Sequence, residues 1–202
     1  GTRSTPDSNN RWPNELARRL NAQKANMAVL DLGIAGNRLL LDGTGPNALA
    51  RFDRDVLPQP GLTHMIVLEG INDIRHSGVD RDLQMPPVTA AELIMAHKQI
   101  IDRGHAHGVK MIGALLTPFE GSLWTPEREA TRKAVNEWIR SGKGYDAFVD
   151  FDAAVRDPSR PTQLNPKFDS GDHIHPNDAG YQAMGNAIDL ALLATGVRAS
   201  TN

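Results

Sequence analysis

The stretch His64-Met65-Ile66-Val67-Leu68-Glu69 carries the strongest strand signal in the chain, and Gly70-Ile71-Asn72-Asp73 follows it at once. Met65 to Leu68 are apolar without polar alternation, the pattern of a strand buried on both faces. Such strands belong to parallel sheets covered by helices, so helical segments are expected on either side. Downstream, Thr89 and Glu92 form a capping box. It opens a long helix with Leu93, Ile94, His97, Ile100 and Ile101 inward, ended by Gly108. Lys110 to Leu116 is the next strand. Pro126 opens a helix with Ala130, Ala134, Val135, Trp138 and Ile139 on one face. Ala147 to Phe151 is a short strand. Pro176 starts a last helix with Tyr181, Met184, Ile188 and Leu192 inward, stopped by Gly196. Upstream, Pro13 sits just inside a helix that aligns Trp12, Leu16 and Leu20. Met27 to Leu32 reads as a buried strand ending at Gly33, and Pro46 to Leu57 as a helix stopped before Pro58.

Strands alternating with long helices imply parallel crossover units. The expected fold is α/β: a three-layer α/β/α single domain over residues 1–202 with a doubly wound parallel sheet. In such sheets ligands bind outside the carboxyl ends of the strands. That directs attention to residues 33–42, 70–88, 117–125 and 152–176. The last connection is long, and long connections in compact domains are commonly functional.

Composition narrows the function classes. A 202-residue chain buries about 70% of its unfolded surface and needs no covalent staples. There is no Cys, which removes disulfides, Cys-zinc sites and Cys nucleophiles together. The net charge of −2 argues against a nucleic-acid or anionic-membrane surface. No apolar run approaches the roughly 20 residues of a membrane span. Residues 1–10 are polar and hold no apolar signal core.

Three motifs follow strand ends. In Asp172-His173-Ile174-His175-Pro176 the carboxylate lies three residues before an imidazole. A turn there brings Asp172 to Nδ1–H of His175 and leaves Nε2 as a base. The plain alternative is helix capping. In Gly70-Ile71-Asn72-Asp73 the Asn aims a side-chain N–H from a strand end; the alternative is an ordinary turn. In Gly33-Ile34-Ala35-Gly36-Asn37 the glycines let backbone approach a ligand; the alternative is a tight turn. Converging on one crevice, the three supply a base, its orienter and two hydrogen-bond donors, the equipment for acyl transfer.

The order Gly36, Gly70-x-Asn72-Asp73, Asp172-x-x-His175 resembles the SGNH (GDSL-type) esterases and acylhydrolases. Pro176-Asn177-Asp178-Ala179-Gly180-Tyr181 and Arg11-Trp12-Pro13 are similar to the same family, closest to arylesterases of xylan-degrading bacteria. The resemblance covers nearly the whole chain. It implies the flavodoxin-like SGNH hydrolase fold and a serine esterase cleaving short-chain, aryl or acetylated-carbohydrate esters through an acyl-enzyme. His175 is then the general base and Asp172 its orienter. Gly36 (backbone N–H) and Asn72 (side-chain amide) are oxyanion donors, with Asp73 bracing the Asn72 loop. No cofactor is implied. The resemblance leans toward a secreted or periplasmic protein.

One departure stands out: the sequence has no Gly-Asp-Ser, the family's nucleophile block. Ser4 and Ser8 follow no apolar strand, and Ser170 precedes Asp172 in the wrong chain order. The favoured expectation is that the intact protein carries a short strand ending in Gly-Asp-Ser ahead of Gly1; a naturally truncated, inactive relative, or another Ser standing in, are the alternatives. That strand would fill a central slot whose neighbours otherwise present unpaired backbone groups.

Competing signals point elsewhere. Gly43-Thr44-Gly45-Pro46-Asn47-Ala48 matches a dinucleotide fingerprint with Glu69 as ribose acid, although Pro46 removes one N–H. His105-x-His107 and His173-x-His175, with nearby Asp residues, suggest a metal-dependent hydrolase as an alternative. A non-catalytic carbohydrate-binding relative is the third reading. Trp12 and Trp138 sit on apolar helix faces and belong to the core. Trp124, in a post-strand loop, is placed at the pocket rim as a substrate-binding residue, joined by Phe119.

Overall fold

The structure, a computed structural model, describes residues 1–78, 87–121 and 123–194. Three strands, β1 (His64–Val67), β2 (Lys110–Ala114) and β3 (Ala147–Val149), pair in parallel in that spatial order. His64 stands opposite Lys110, and Ile112 opposite Ala147. The helices are α1 (Trp12–Ala22), α2 (Ala48–Asp55), α3 (Ile71–His76), α4 (Ala90–Ala106), α5 (Pro126–Arg140), α6 (Phe151–Val155) and α7 (Asp178–Ala187).

Successive strand residues point to opposite sheet faces, and each face has its own core. Val67, Met111 and Leu115 pack with Phe52 of α2, Leu93 and Ile100 of α4, and Val135 and Ile139 of α5. Ile112, Ala114 and Val149 pack with Leu16 and Leu20 of α1 and Tyr181 and Met184 of α7. Helices thus cover both faces of a parallel sheet, as expected.

Local chemistry explains the helix ends. The capping box at α4 is present: Thr89 N–H donates to Glu92 Oε2 (2.7 Å) and Glu92 N–H donates to Thr89 Oγ1 (3.2 Å). α7 starts later than Pro176, because Asn177 accepts the Gly180 N–H (3.0 Å) and takes the cap position. α7 stops at Ala187, where Arg19 of α1 donates to the Ile188 carbonyl (2.7 Å); a 3₁₀ turn, Leu190–Leu193, follows. Gly196, expected to end this helix, lies outside the described residues.

Three expectations are corrected. The 27–32 stretch runs extended but joins no ladder among the described residues. Side-chain burial holds it: Met27 and Val29 pack on the α1/α7 side, Leu32 on the other, and Leu30 is exposed. Residues 71–76 and 151–155 are short helices where connections were expected. The buried face of α5 is also rotated. Ala130 and Ala134 are exposed, whereas Glu129, Arg132 and Asn136 are buried. Asn136 takes both backbone groups of Leu116, accepting its N–H (2.8 Å) and donating to its carbonyl (2.9 Å). Arg132 bonds the same carbonyl (2.7 Å), Glu129 (2.9 Å and 2.8 Å) and Asp152 (2.6 Å). Polar burial at a strand end obeys hydrogen-bond satisfaction rather than apolar periodicity.

Candidate active site

Residues 169–176 form a closed loop. Gly171 and His173 N–H both donate to Asp169 Oδ1 (2.9 Å and 3.0 Å), and the His173 ring bonds Asp169 Oδ2. Ser170 N–H reaches the His175 carbonyl (3.1 Å). Inside this loop Asp172 Oδ1 accepts the Ile174 and His175 N–H groups (3.0 Å and 2.8 Å). Asp172 Oδ2 meets His175 Nδ1 at 2.8 Å and accepts from Arg3 Nε at 3.1 Å. Asn177 caps α7, so Asp172 does not serve as a helix cap and is committed to His175. Burial alone would raise the Asp172 pKa. The His175 N–H, the His175 ring and the Ile174 N–H outweigh it and hold the carboxyl well below the usual carboxylate range. An ionised carboxylate on Nδ1 fixes the tautomer and leaves Nε2 to take a proton.

The second loop is built around Gly70, whose φ of 110° turns the chain from β1 directly into α3. Asn72, on the first turn of α3, donates from Nδ2 to the Asn37 carbonyl (3.0 Å). Asp73 is buried and accepts the Leu39 and Leu40 N–H groups (2.7 Å and 2.9 Å). Asn37 is itself buried: Nδ2 donates to Thr44 (3.2 Å) and Pro46 (2.9 Å) carbonyls, and Oδ1 accepts from Arg51 Nε (3.0 Å). Gly36, at φ 77°, immediately precedes this anchor. The Gly36–Asn37 turn and Asn72 are therefore hydrogen-bonded neighbours although 35 residues separate the bonded pair. Arg75, one turn further along α3, donates to Asn72 Oδ1 (3.2 Å), and its charge acts on Asp172. α3 follows the carboxyl end of β1, and the 169–176 loop approaches Gly121, beyond the carboxyl end of β2.

A third segment touches the dyad loop. A Cβ on Gly121 would lie 2.7 Å from the Asp172 carbonyl oxygen and 3.0 Å from Ile174 Cγ1. Only glycine permits this approach. Gly121→Ala is expected to displace the dyad loop and lower kcat by about 10-fold to 10²-fold with the fold retained. Steady-state kinetics beside a thermal melt checks it; an unaltered kcat would show that the loop yields freely.

Trp124 is half-buried and packs against the α2/α4/α5 core, on the same post-β2 segment as Gly121. Phe119, expected beside it at the rim, is fully buried in that core, because the chain turns its ring inward before reaching Gly121. Trp12 packs on Phe151 (5.2 Å between ring centroids) and Trp138 on Tyr145 (5.9 Å), as core residues.

The competing motifs fall elsewhere. Among the described residues no strand precedes residues 43–48; Asn47 caps α2 by accepting the Ala50 N–H (2.9 Å), and Pro46 gives its carbonyl to Asn37. Glu69 lies 3.7 Å from Arg51. His105 pairs with Asp146 (2.9 Å), which also accepts the Met111 N–H at the amino end of β2, opposite the His173 and His175 loop. Among the described residues no three His, Asp or Glu side chains gather as a metal site.

Burial pushes Glu69 up to about 7; Arg51 opposes and Asp73 adds to the rise. Between its ordinary 4.5 and about 7 the folded chain keeps a proton that the unfolded chain has released. Stability therefore falls as pH rises through that window. Glu69→Gln is expected to remove this slope and stabilise the protein at pH 8 by about 1–3 kcal/mol. Urea unfolding of both proteins across that pH range measures it; parallel curves would refute the assignment. Arg51 keeps Asn37 and the Leu32 carbonyl (2.8 Å) as partners in the variant.

The chain resembles known proteins in sequence and in fold. A model of the GDSL-like lipase/acylhydrolase family matches residues 1–183. No curated protein matches the sequence. Among solved structures the chain is similar to LAE5, an alpha/beta hydrolase enzyme from the metagenome of Lake Arreo. That pair shares 22% identity, covers 91% of this chain and 81% of that one, and has a TM-score of 0.67. It is also similar to Axe2, an acetylxylan esterase from Geobacillus stearothermophilus (19% identity, 92% and 82% covered, TM-score 0.66). A third is a GDSL-like lipase from Bacteroides thetaiotaomicron VPI-5482 (18%, 90% and 82%, TM-score 0.61). Helices on both faces of a parallel sheet are the fold these structures share with the chain. The chain belongs to the GDSL-like lipase/acylhydrolase family, and is a carboxylic ester hydrolase.

Proposed function

We propose that the protein cleaves short-chain, aryl or acetylated-carbohydrate esters through an acyl-enzyme on a serine. The observation that carries this reading is the Asp172–His175 contact of 2.8 Å, with the carboxylate held ionised by the loop's own N–H groups. His175 Nε2 takes the serine proton as the hydroxyl oxygen attacks the ester carbonyl. Asp172 stabilises the imidazolium that forms. The Asn72 amide and the Gly36 N–H receive the negative charge on the carbonyl oxygen. The C–O bond to the alcohol then breaks, with His175 returning the proton to the leaving oxygen. Water repeats the sequence on the acyl-enzyme and frees the acid.

The acetylxylan esterase among the structural relatives supports acetylated carbohydrate as one substrate class. Ser4 and Ser8 spend their hydroxyls in local turns, on the Gly1 and Pro6 carbonyls (2.7 Å and 3.3 Å). The reading takes its nucleophile from a Gly-Asp-Ser segment ahead of Gly1. Residues 2–5 run beside the dyad: Tyr181 donates to the Thr2 carbonyl (2.7 Å) and Arg3 holds Asp172. Labelling the intact protein with a fluorophosphonate and mapping the modified peptide tests it. The expected adduct is on that serine. No adduct, together with activity lost to EDTA, would favour the metal-dependent alternative and overturn the acyl-enzyme.

A further inference from the structure

Asn72 and Arg75 stand three residues apart on α3, where side chains are neighbours on the helix surface. A primary amide can be flipped end for end at little cost unless both ends are held. Here both are. The nitrogen end of Asn72 donates to the Asn37 carbonyl (3.0 Å), and the oxygen end accepts from Arg75 Nη1 (3.2 Å). In the flipped state the amide oxygen would face the Asn37 carbonyl and the developing oxyanion, both of them negative. We infer that Arg75 is a positioning residue of the reaction: it locks the Asn72 amide with N–H toward the substrate oxygen and adds positive charge beside the dyad. This deepens the acyl-enzyme reading and rests on it.

The surroundings fit the assignment. Arg75 is half-buried, so its charge is only partly screened by water. Burial lowers its pKa from the ordinary value, and Asp172 opposes that fall. Other charged or titratable groups surround the dyad. Arg3 bonds Asp172 from the N-terminal segment, and the Tyr181 phenol of α7 feels the same carboxylate. Asp169 and His173 pair within the loop. On the Arg75 side stand Asp73, held by two backbone N–H groups, His76, and Arg128 of α5, bonded to the Ser77 carbonyl. Losing the Arg75 cation leaves Asp172 less compensated and makes the potential around the carboxylate more negative.

The test uses the intact enzyme, p-nitrophenyl acetate as substrate, and the Arg75→Met and Arg75→Lys variants. Arg75→Met is expected to lower kcat about tenfold or more with KM changed less than about twofold. The acid limb of its kcat/KM profile should move to higher pH, which a merely structural role would not do. Arg75→Lys keeps the charge but not the planar fork, so it should restore the limb and not kcat. A wild-type kcat in Arg75→Lys, or an unmoved limb in Arg75→Met, overturns the inference. If Arg75→Met fails to melt cooperatively, the kcat of Arg75→Lys decides alone. His175→Ala runs alongside: if it still hydrolyses ester, the acyl-enzyme reading falls first. If it is inactive while both Arg75 variants behave as wild type, only Arg75 loses its role.

Discussion

His175→Ala lowers kcat by about 10⁴-fold or more, the loss expected when one member of a nucleophile–base–carboxylate unit is removed. The size follows from the geometry. Asp172 spends four hydrogen bonds on the loop, Arg3 and the His175 ring, so no neighbouring base is set in the same frame. His173, two residues away, has Nδ1 committed to Asp169 and a left-handed backbone at φ 62°. It is 66% exposed at its side chain and has its own carboxylate, so it is the natural suspect for a substitute. Pre-steady-state and steady-state hydrolysis of a chromogenic ester by His175→Ala and His173→Ala separates them. Near-normal hydrolysis by His175→Ala would remove the base from this site. The fold should survive, because His175 is partly exposed and the loop is held by Asp169 and Asp172 through backbone groups.

Asn72→Ala is the second large effect expected of the proposed mechanism: kcat falls about 10²- to 10³-fold, as for loss of an oxyanion donor. KM should change little, since the amide is worth most when the carbonyl oxygen carries full negative charge. Stability should fall by only about 1 kcal/mol, for the lost bond to the Asn37 carbonyl. The double variant with His175→Ala should lose far less than the product of the two, because both act on one transition state. Independent, multiplicative losses would mean that Asn72 serves the substrate in some other way.

The Asp172–His175 contact was legible in the sequence because it is local: four residues and a proline define the turn that makes it. The α/β/α layering was legible because Met65 to Leu68 and Met111 to Leu116 are uninterrupted apolar runs, and the α4 capping-box pair lies only three residues apart. What stayed hidden depends on contacts distant in the chain. Asn37 draws meaning from Arg51 and Asn72, Gly121 from Asp172, and Arg75 from a helix that looked like a turn. Phe119 shows the opposite error: an aromatic in a post-strand loop reads as rim until packing turns it inward. The buried side of α5 escaped for a related reason, since nothing in apolar spacing announces Glu129, Arg132 and Asn136.

That buried trio and its bond to Asp152 set a boundary on redesign. Arg132 joins α5, the end of β2 and the start of α6 through one guanidinium, with both carboxylates almost sealed from water. Taking away Arg132 alone leaves Glu129 and Asp152 buried without their shared cation, which commonly costs about 3–5 kcal/mol, a large part of the margin of a modest domain. Directed evolution of new ester preferences would thus find freedom in the loops above this junction, and would have to replace its ions together or leave them untouched.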